Sequence, residues 1–316
     1  MHKEIGGYLE LERFTGPMLH GEALALSSGR ACLSYLIEQR GIRKIVLPDY
    51  NCDVVEKACR DHRIEVRFYP VGLDLRPKDL QVGEDEWLYL VNFYGQLTEE
   101  ELRSFAARYP RLIVDNAQAY FTPPIPGVDT LYTCRKFIGV ADGGFLYTDA
   151  PARELERDES RERMDFVLGR FERSAGEFFA ASTRNNDELT TSPLQMSAVT
   201  RNLLHAVDYE RVKAVRTENF RQLHEALGGR NLLKLRLSEG PYVYPLMRPE
   251  GQQLRWKLIE KKIFIPQLWG NVPEQQPADS EACMLAEQII PLPCDQRYGA
   301  EEMAFIIEAV NECLGH

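Results

Sequence analysis

The sequence predicts an α/β protein in which a mostly parallel β-sheet is sandwiched by helices and followed by a small C-terminal α/β domain. Over the first half of the chain, short apolar runs rich in β-branched and aromatic residues alternate with helix-like segments. Strands that are connected through helices pair in parallel. In addition, 316 residues exceed the usual size of one hydrophobic core. We therefore expect a large domain over residues 1–227 and a small domain over residues 228–316.

The first half supports the parallel sheet element by element. Three segments have apolar residues at helical spacing or begin with a Thr/Glu capping pattern, and they are predicted to be helices: "GRACLSYLIEQR", "DVVEKACRDH" and "TEEELRSFAARY". Gly41 ends the first of these. The predicted strands are "EALAL", "RKIVLP", "IEVRFYPV", "EWLYLV", "RLIV", "GVDTLYT" and "GGFLYT".

The second half is more helical and more polar. The segment "STRNNDELTTSP" is rich in Asn, Ser and Thr, which indicates a loop. One long helix is predicted to run from "LQMSAVTRNLL" to "NFRQLHEALGG", where Gly228 and Gly229 end it. The remaining segments, "LLKLRLSEGPYVYPLMR", "LRWKLIEKKIFIP" and "EEMAFIIEAVNECL", predict the strands and helices of the small domain.

Composition argues against several classes of function. The formal charge of −10 disfavours binding to nucleic acid, which requires clustered Lys and Arg. The sequence has no apolar tract long enough to cross a bilayer, and "MHKEIGGYLELERF" lacks the features of a signal peptide. Its seven cysteines are scattered, without the spacing of a zinc site. We expect free thiols, no metal and a cytoplasmic location.

Three polar clusters follow predicted strands: "SSGRA", "DNAQ" and "TCRK". Ligands of such sheets bind at the carboxyl ends of the strands. A helix that begins in "SSGR" favours an anion such as phosphate. Asp115 would be a partly buried carboxylate suited to a protonated pyridine nitrogen, and Lys136 would supply an amine. Together these groups suit pyridoxal 5'-phosphate.

At these residues the sequence resembles the DegT-type sugar aminotransferases. The motifs occur in the family's order: "IGGYLELE", "SSGRACL", "LPDYNCDVV", "NFYGQ", "DNAQAY" and "RKFIGVADGG". "LQMSAVTRNLL" is similar to a later helix of the family and extends the resemblance to about residue 225. The resemblance implies the type I fold of pyridoxal-phosphate enzymes, that of aspartate aminotransferase.

The resemblance also assigns roles to individual residues. Lys136 matches the lysine that binds the cofactor covalently, Asp115 the partner of the ring nitrogen, and Gln118 the glutamine beside the phenolic oxygen. The phosphate would be held by Ser28, Gly29, Arg30, Ala31 and Thr133.

The sequence departs from the family pattern at several of these positions. Arg30 stands where threonine is usual, so it would contact either the phosphate or the substrate. Cys52 stands where an aromatic residue normally stacks on the cofactor ring, and Tyr50 is the candidate substitute. Pro193 and Gln195 replace the Asn and Arg that reach the partner subunit's site.

The resemblance implies an aminotransferase that moves an amino group from an amino acid to a keto-sugar in polysaccharide or glycan biosynthesis, and we expect this sugar to be nucleotide-linked. Two alternatives stay open: a catalytically silent homologue that acts as a binding or assembly partner, and a pyridoxal-phosphate enzyme of another type, such as a dehydratase. The expected partners are small-molecule substrates and a second copy of the chain in a homodimer.

Overall fold

The computed structural model describes residues 5–315, which form seven strands in one sheet, two strands in another, and eleven helices. The strands are β1 (Leu24–Leu26), β2 (Lys44–Pro48), β3 (Glu65–Tyr69), β4 (Trp87–Val91), β5 (Leu112–Asp115), β6 (Asp129–Thr133), β7 (Gly144–Tyr147), β8 (Tyr244–Met247) and β9 (Ile289–Leu292). The helices are α1 (Gly29–Arg40), α2 (Asp53–Asp61), α3 (Glu99–Arg108), α4 (Asp165–Glu172), α5 (Phe179–Glu188), α6 (Ala198–Leu204), α7 (Tyr209–Leu227), α8 (Gly251–Glu260), α9 (Val272–Gln275), α10 (Glu281–Gln288) and α11 (Ala300–Cys313).

The large sheet has the strand order β1-β7-β6-β5-β4-β2-β3. Strands β3, β2, β4, β5 and β6 are parallel, whereas β7 lies antiparallel to both β6 and β1. Two antiparallel steps restore the direction, so β1 runs the same way as β6. The carboxyl ends of β1, β5 and β6 therefore lie on one edge of the sheet, as the polar clusters of the sequence predict.

The predicted strands and helices of the first half are confirmed. The Thr/Glu pattern before α3 forms a capping box, in which Thr98 Oγ1 accepts from the N–H of Glu101 and the Glu101 carboxylate accepts from the N–H of Thr98. Gly41 ends α1 in the left-handed region, at φ 62°. The predicted α/β class with a mostly parallel sheet is confirmed.

A second, smaller core surrounds the antiparallel pair β8–β9. Strand β8 contributes Tyr244 and Leu246, and α11 contributes Met303 and Ile306. Helix α7 also adds Phe220, Leu223 and Leu227 to this core, although it precedes the predicted domain boundary. The division at residues 227 and 228 stays a prediction.

Two predictions for the second half are wrong. Much of "STRNNDELTTSP" is helical, because α5 extends to Glu188. A tertiary contact supports this polar helix: Asn185 Nδ2 donates to the carbonyl oxygen of Ala141 at 2.9 Å. The predicted long helix is two helices, since the chain turns after Leu204 and Asp208 caps α7 by accepting from the N–H of Arg211.

The start of β7 lies against the start of α1. A Cβ atom on Gly144 would lie 2.6 Å from both the carbonyl carbon and the oxygen of Ser28, and 3.0 Å from the nitrogen of Gly29. Gly143 donates from its N–H to the carbonyl oxygen of Ser27 at 2.6 Å. Glycine at residue 144 is therefore required by the close approach of two backbones.

We predict that Gly144→Ala destabilises the protein by about 1–3 kcal/mol, because the atoms it meets are backbone atoms that move only if α1 moves. Gly139→Ala is the matched control, since its Cβ would meet only Val167 Cγ1, at 3.6 Å. Chemical denaturation of both variants and the wild type measures the difference. Equal stability of all three would show that α1 can shift freely.

Candidate active site

The start of α1 presents free backbone N–H groups at the carboxyl edge of the sheet. Ser28 precedes the helix in an extended conformation, and its Oγ accepts from the N–H of Ala31 at 3.1 Å. The N–H groups of Gly29 and Arg30 have no acceptor within the helix, because they belong to its first turn. Together with the helix dipole they favour an anion. The Ala31 N–H is already satisfied by the cap and is the least available of the predicted donors.

The buried carboxylate of Asp142 stabilises, through hydrogen bonds, the loop between β6 and β7 that lies beside the start of α1. Asp142 is fully buried, and its oxygens accept from the N–H of Ser197 at 2.7 Å, from Ser197 Oγ at 2.7 Å, and from Thr200 Oγ1. Thr133 Oγ1 donates to the carbonyl oxygen of Gly143 at 3.1 Å. The Thr133 hydroxyl is thus engaged in holding the loop, and the "DGG" and "MS" motifs of the sequence meet through Asp142.

Asp115 ends β5 as a buried carboxylate, and within residues 5–315 no cationic side chain is bonded to it. Tyr89 Oη donates to its Oδ2 at 2.7 Å, and the N–H of Ala117 donates to its Oδ1 at 2.7 Å. Burial raises the pKa of Asp115, against the opposing effects of the Lys136 charge and these two hydrogen bonds. A cation at this carboxylate would offset the cost of burying its charge.

Lys136 follows β6 and lies close enough to Asp115 for the two charges to interact. Its Nζ is 5.6 Å from the centroid of the Tyr242 ring. Burial lowers the pKa of Lys136, whereas the charges of Asp115 and Cys52 act to raise it and Arg135 acts to lower it. A lowered amine pKa increases the neutral fraction, which is the form that attacks a carbonyl carbon.

Gln118 is buried and supports a strained turn after β4. Its Oε1 accepts from the N–H of Tyr94 at 2.8 Å, which fixes the orientation of the amide. Tyr94 has φ 53° and Gly95 has φ 67°, both in the left-handed region. A non-glycine residue in this conformation stores strain, which is common at functional sites. The Nε2 group of Gln118 donates to no acceptor in residues 5–315 and is available to a ligand oxygen.

Cys52 and Tyr50 occupy different environments. Cys52 is partly exposed at the start of α2, and its thiol pKa is raised by burial and lowered by the N–H of Val54 and the charge of Lys136. Tyr50 is only 1% exposed, with its hydroxyl 2.9 Å from that of Tyr94 and its ring edge-on to Trp269. Tyr50 supports the turn at Tyr94 through this hydroxyl contact. Because its ring is buried, it has no exposed face on which a cofactor ring could stack.

Two residues of the site, Tyr89 and Arg216, carried no signal in the sequence, whereas Arg135 belongs to the polar cluster "TCRK" but had no predicted role. Tyr89 lies within β4 and bonds Asp115. Arg216, 2% exposed on α7, donates to the carbonyl oxygens of Phe137, Pro241 and Tyr242 at 3.0–3.1 Å. Arg216 therefore joins the residue after Lys136 to the segment that carries the Tyr242 ring. In the sequence, the position of Arg216 within α7 looks no different from that of an arginine on a solvent-exposed helix face.

The chain is similar in structure to several solved proteins, including enzymes that are named aminotransferases. S. venezuelae DesV has 15% identity and a TM-score of 0.65, with 96% of this chain and 91% of that one covered. A DegT DnrJ EryC1 StrS aminotransferase from Brucella abortus has 14% identity and a TM-score of 0.64, with 93% and 86% covered. The PMP form of the putative sugar aminotransferase Spr1654 from Streptococcus pneumoniae has 13% identity and a TM-score of 0.67, with 95% and 92% covered.

The chain has the fold of these aminotransferases. The type I fold implied by the sequence resemblance is thus confirmed. No model of a protein family matches the sequence. No curated protein matches it significantly.

Other features lie outside this edge of the sheet. An open surface cavity of about 460 Å³ near the end of α7 is lined by His224, Leu233 and Arg236 among others, and it shares no residue with the predicted site. Along residues 5–315, none of the helices combines the length and apolar character needed to cross a membrane. The same part of the chain brings together no group of three or more His, Cys, Asp or Glu side chains that could hold a metal.

Proposed function

We propose that the protein is a pyridoxal-phosphate-dependent aminotransferase that moves an amino group from an amino acid to a keto-sugar. The observation that carries this proposal is the proximity of the Lys136 amine to the buried carboxylate of Asp115 beside the start of α1. An amine, a carboxylate and an anion site on one edge are what this cofactor requires of a protein.

The described residues fit the cofactor. Among the described residues, Asp115 accepts hydrogen bonds from two neutral donors only, so a protonated ring nitrogen would supply a cation that offsets the cost of burying the carboxylate charge. Gln118 Nε2 would donate to the phenolic oxygen, and the N–H groups of Gly29 and Arg30 would receive the phosphate. Lys136 would hold the cofactor covalently through Nζ.

Lys136 and Asp115 would then have different roles in the reaction. When bound, the cofactor supplies an electron-withdrawing ring that stabilises negative charge at the carbon losing its proton. Lys136 would take up that proton at Nζ as a base and return it as an acid. Its lowered pKa keeps a larger neutral fraction available for the first of these steps. The negative charge of Asp115 would favour the protonated form of the ring nitrogen.

The sugar substrate is supported by the names of the structural neighbours. CalS13 from Micromonospora echinospora, at 13% identity and a TM-score of 0.63, is named a sugar aminotransferase, and Spr1654 is named a putative sugar aminotransferase. We extend this to a nucleotide-linked keto-sugar in polysaccharide or glycan biosynthesis. A cytoplasmic location stays a prediction from the sequence.

A catalytically silent homologue is the second candidate, and one observation favours it. Cys52 provides no ring to stack on the cofactor, and Tyr50 is too buried to replace it. Such a protein would retain the fold and could bind the cofactor without processing an amino donor.

We predict that Lys136→Ala abolishes covalent attachment of the cofactor and leaves the fold intact, since the Lys136 side chain is partly exposed. Borohydride reduction of the protein with pyridoxal phosphate, followed by mass spectrometry of the peptides, detects the attachment. Lys234→Ala, at an exposed lysine, is the matched control and should behave like the wild type. Equal trapping in Lys136→Ala would exclude Lys136 as the attachment site.

Asp115→Asn distinguishes the enzyme from the silent homologue. We expect the rate of the donor half-reaction to fall by ~10³-fold, equivalent to about 4 kcal/mol, because the amide cannot hold the ring nitrogen protonated. Tyr89→Phe is the control: it keeps the carboxylate, removes one hydrogen bond, and should cost about tenfold or less. Single-turnover rates at saturating cofactor give the comparison. A wild type that transfers no amino group supports the silent homologue.

We also propose a homodimer. Ile5, Tyr8 and Leu9 are 97–98% exposed, and a run of exposed large apolar side chains marks an interaction surface. Sedimentation should give a mass of about twice the chain's 36.3 kDa, and Tyr8→Ser with Leu9→Ser should weaken the association. Phe305→Ser on α11 is the control for lost apolar surface. A wild-type monomer at micromolar concentration would contradict the proposal.

A further inference from the structure

Two arginines beside the candidate site have no carboxylate partner in the described part of the chain. Arg30 Nη1 donates to the carbonyl oxygens of Leu189 at 3.0 Å and Asn186 at 3.4 Å. Arg135 Nη2 donates to the side-chain oxygen of the same Asn186. Within residues 5–315 neither guanidinium has an acidic group at ion-pair distance. Both positive charges are therefore held against one neutral asparagine at the end of α5.

This arrangement is costly without a ligand. Both side chains are partly buried, and Arg135 Nε is shielded from solvent with no acceptor. Burial lowers the pKa of Arg135 to about 10, and the like charge of Arg30 acts in the same direction. Buried guanidinium groups are normally paired with anions. Against the effect of burial, the charges of Asp53 and Asp187 act to raise the pKa of Arg30, and that of Asp142 acts to raise the pKa of Arg135, but none of these carboxylates is at ion-pair distance from either guanidinium group.

Each arginine is close in sequence to one part of the candidate cofactor site. Arg30 is the second residue of α1, whose first N–H groups are free, and Arg135 immediately precedes Lys136. The Cys52 thiol lies within electrostatic reach of both Arg30 and Lys136, so the arginine pair and the amine share one region.

We propose that Arg30 and Arg135 form a two-arginine clamp, oriented by Asn186, that binds the phosphate group of the cofactor. Two guanidinium groups match the charge of a phosphate dianion and bind its oxygens through charge-assisted hydrogen bonds. The clamp belongs to one chain and needs no residue of a second copy. Its assignment to the cofactor rests on the proposed function, because a phosphate of the sugar substrate has the same chemistry.

Affinity for the cofactor with and without its phosphate tests the clamp. The apo-protein is titrated with pyridoxal phosphate and with pyridoxal, and binding is followed by absorbance. In Arg135→Gln and in Arg30→Gln, the Kd for pyridoxal phosphate should rise by about 10- to 100-fold, while the Kd for pyridoxal changes by about twofold or less. Arg135→Lys keeps a charge and should lose less. Arg103→Gln, at an exposed arginine on α3, is the matched control.

Inorganic phosphate provides a readout that does not depend on the enzyme reaction. It should raise the melting temperature of the wild-type apo-protein and of Arg103→Gln, but not that of Arg30→Gln or Arg135→Gln. Equal stabilisation of all four proteins would overturn the clamp. Equal losses of affinity for pyridoxal phosphate and pyridoxal would also overturn it, because the arginines would then position the loop and not the phosphate.

The two proposals fail in different ways. If borohydride traps the cofactor on Lys136 in the wild type but the arginine variants bind pyridoxal phosphate normally, the clamp is wrong and the proposed function stands. A raised KM for a nucleotide-linked sugar in those variants, with unchanged cofactor affinity, would likewise overturn the assignment to the cofactor. If nothing is trapped in the wild type, the proposed function fails, and phosphate-dependent stabilisation lost in both arginine variants would still support an anion clamp.

Discussion

The close contact between the start of β7 and the start of α1 is the constraint on which the rest of the site depends. Gly144 has no room for a Cβ atom beside the Ser28 and Gly29 backbone, so two chain segments far apart in sequence meet without an intervening side chain. The buried Asp142 carboxylate fastens the same loop to α6. Because β6 and β7 form a hairpin, fixing this loop also fixes Lys136, which lies within it.

At this edge of the sheet, charged side chains are buried or partly buried without bonded partners of opposite charge among the described residues, which is unusual for a core with a purely structural role. In the part of the chain that the structure describes, Asp115 is a buried carboxylate bonded only by neutral donors, and Arg30 and Arg135 are partly buried cations without a carboxylate at ion-pair distance. The carboxylate and the two guanidinium groups belong to one region, which also contains the Lys136 amine, whose pKa is lowered by burial. A ligand with a cationic ring nitrogen and an anionic phosphate would neutralise both ends. Such local conflicts in an otherwise consistent fold mark functional sites.

The C-terminal part of the chain completes the site through arginines as well. Arg236 donates to the carbonyl oxygens of Gln96 at 3.1 Å and Leu97 at 2.8 Å, and so holds the turn that contains Tyr94. Arg216 holds the carbonyl oxygen of Phe137. In each case a guanidinium group donates hydrogen bonds to backbone carbonyl oxygens in the loops of the large sheet. The positions of Gln118 and Lys136 therefore depend on Arg216 and Arg236, whose acceptor carbonyl oxygens at Phe137 and Gln96 lie 79 and 140 positions earlier in the chain.

The sequence by itself determined the parallel sheet, the capped helix α3 and the positions of Lys136 and Asp115 at strand ends, because alternation, capping and strand-end polarity are local properties. It could not determine that Asn185 would stabilise α5 or that the chain would turn before α7, since polar residues gain helical order there from tertiary contacts. Nor could spacing distinguish Arg216 from a solvated helix residue, or show that Arg30 and Arg135 meet at Asn186. Those pairings join segments far apart in the chain, so only the tertiary structure decided which charges found partners.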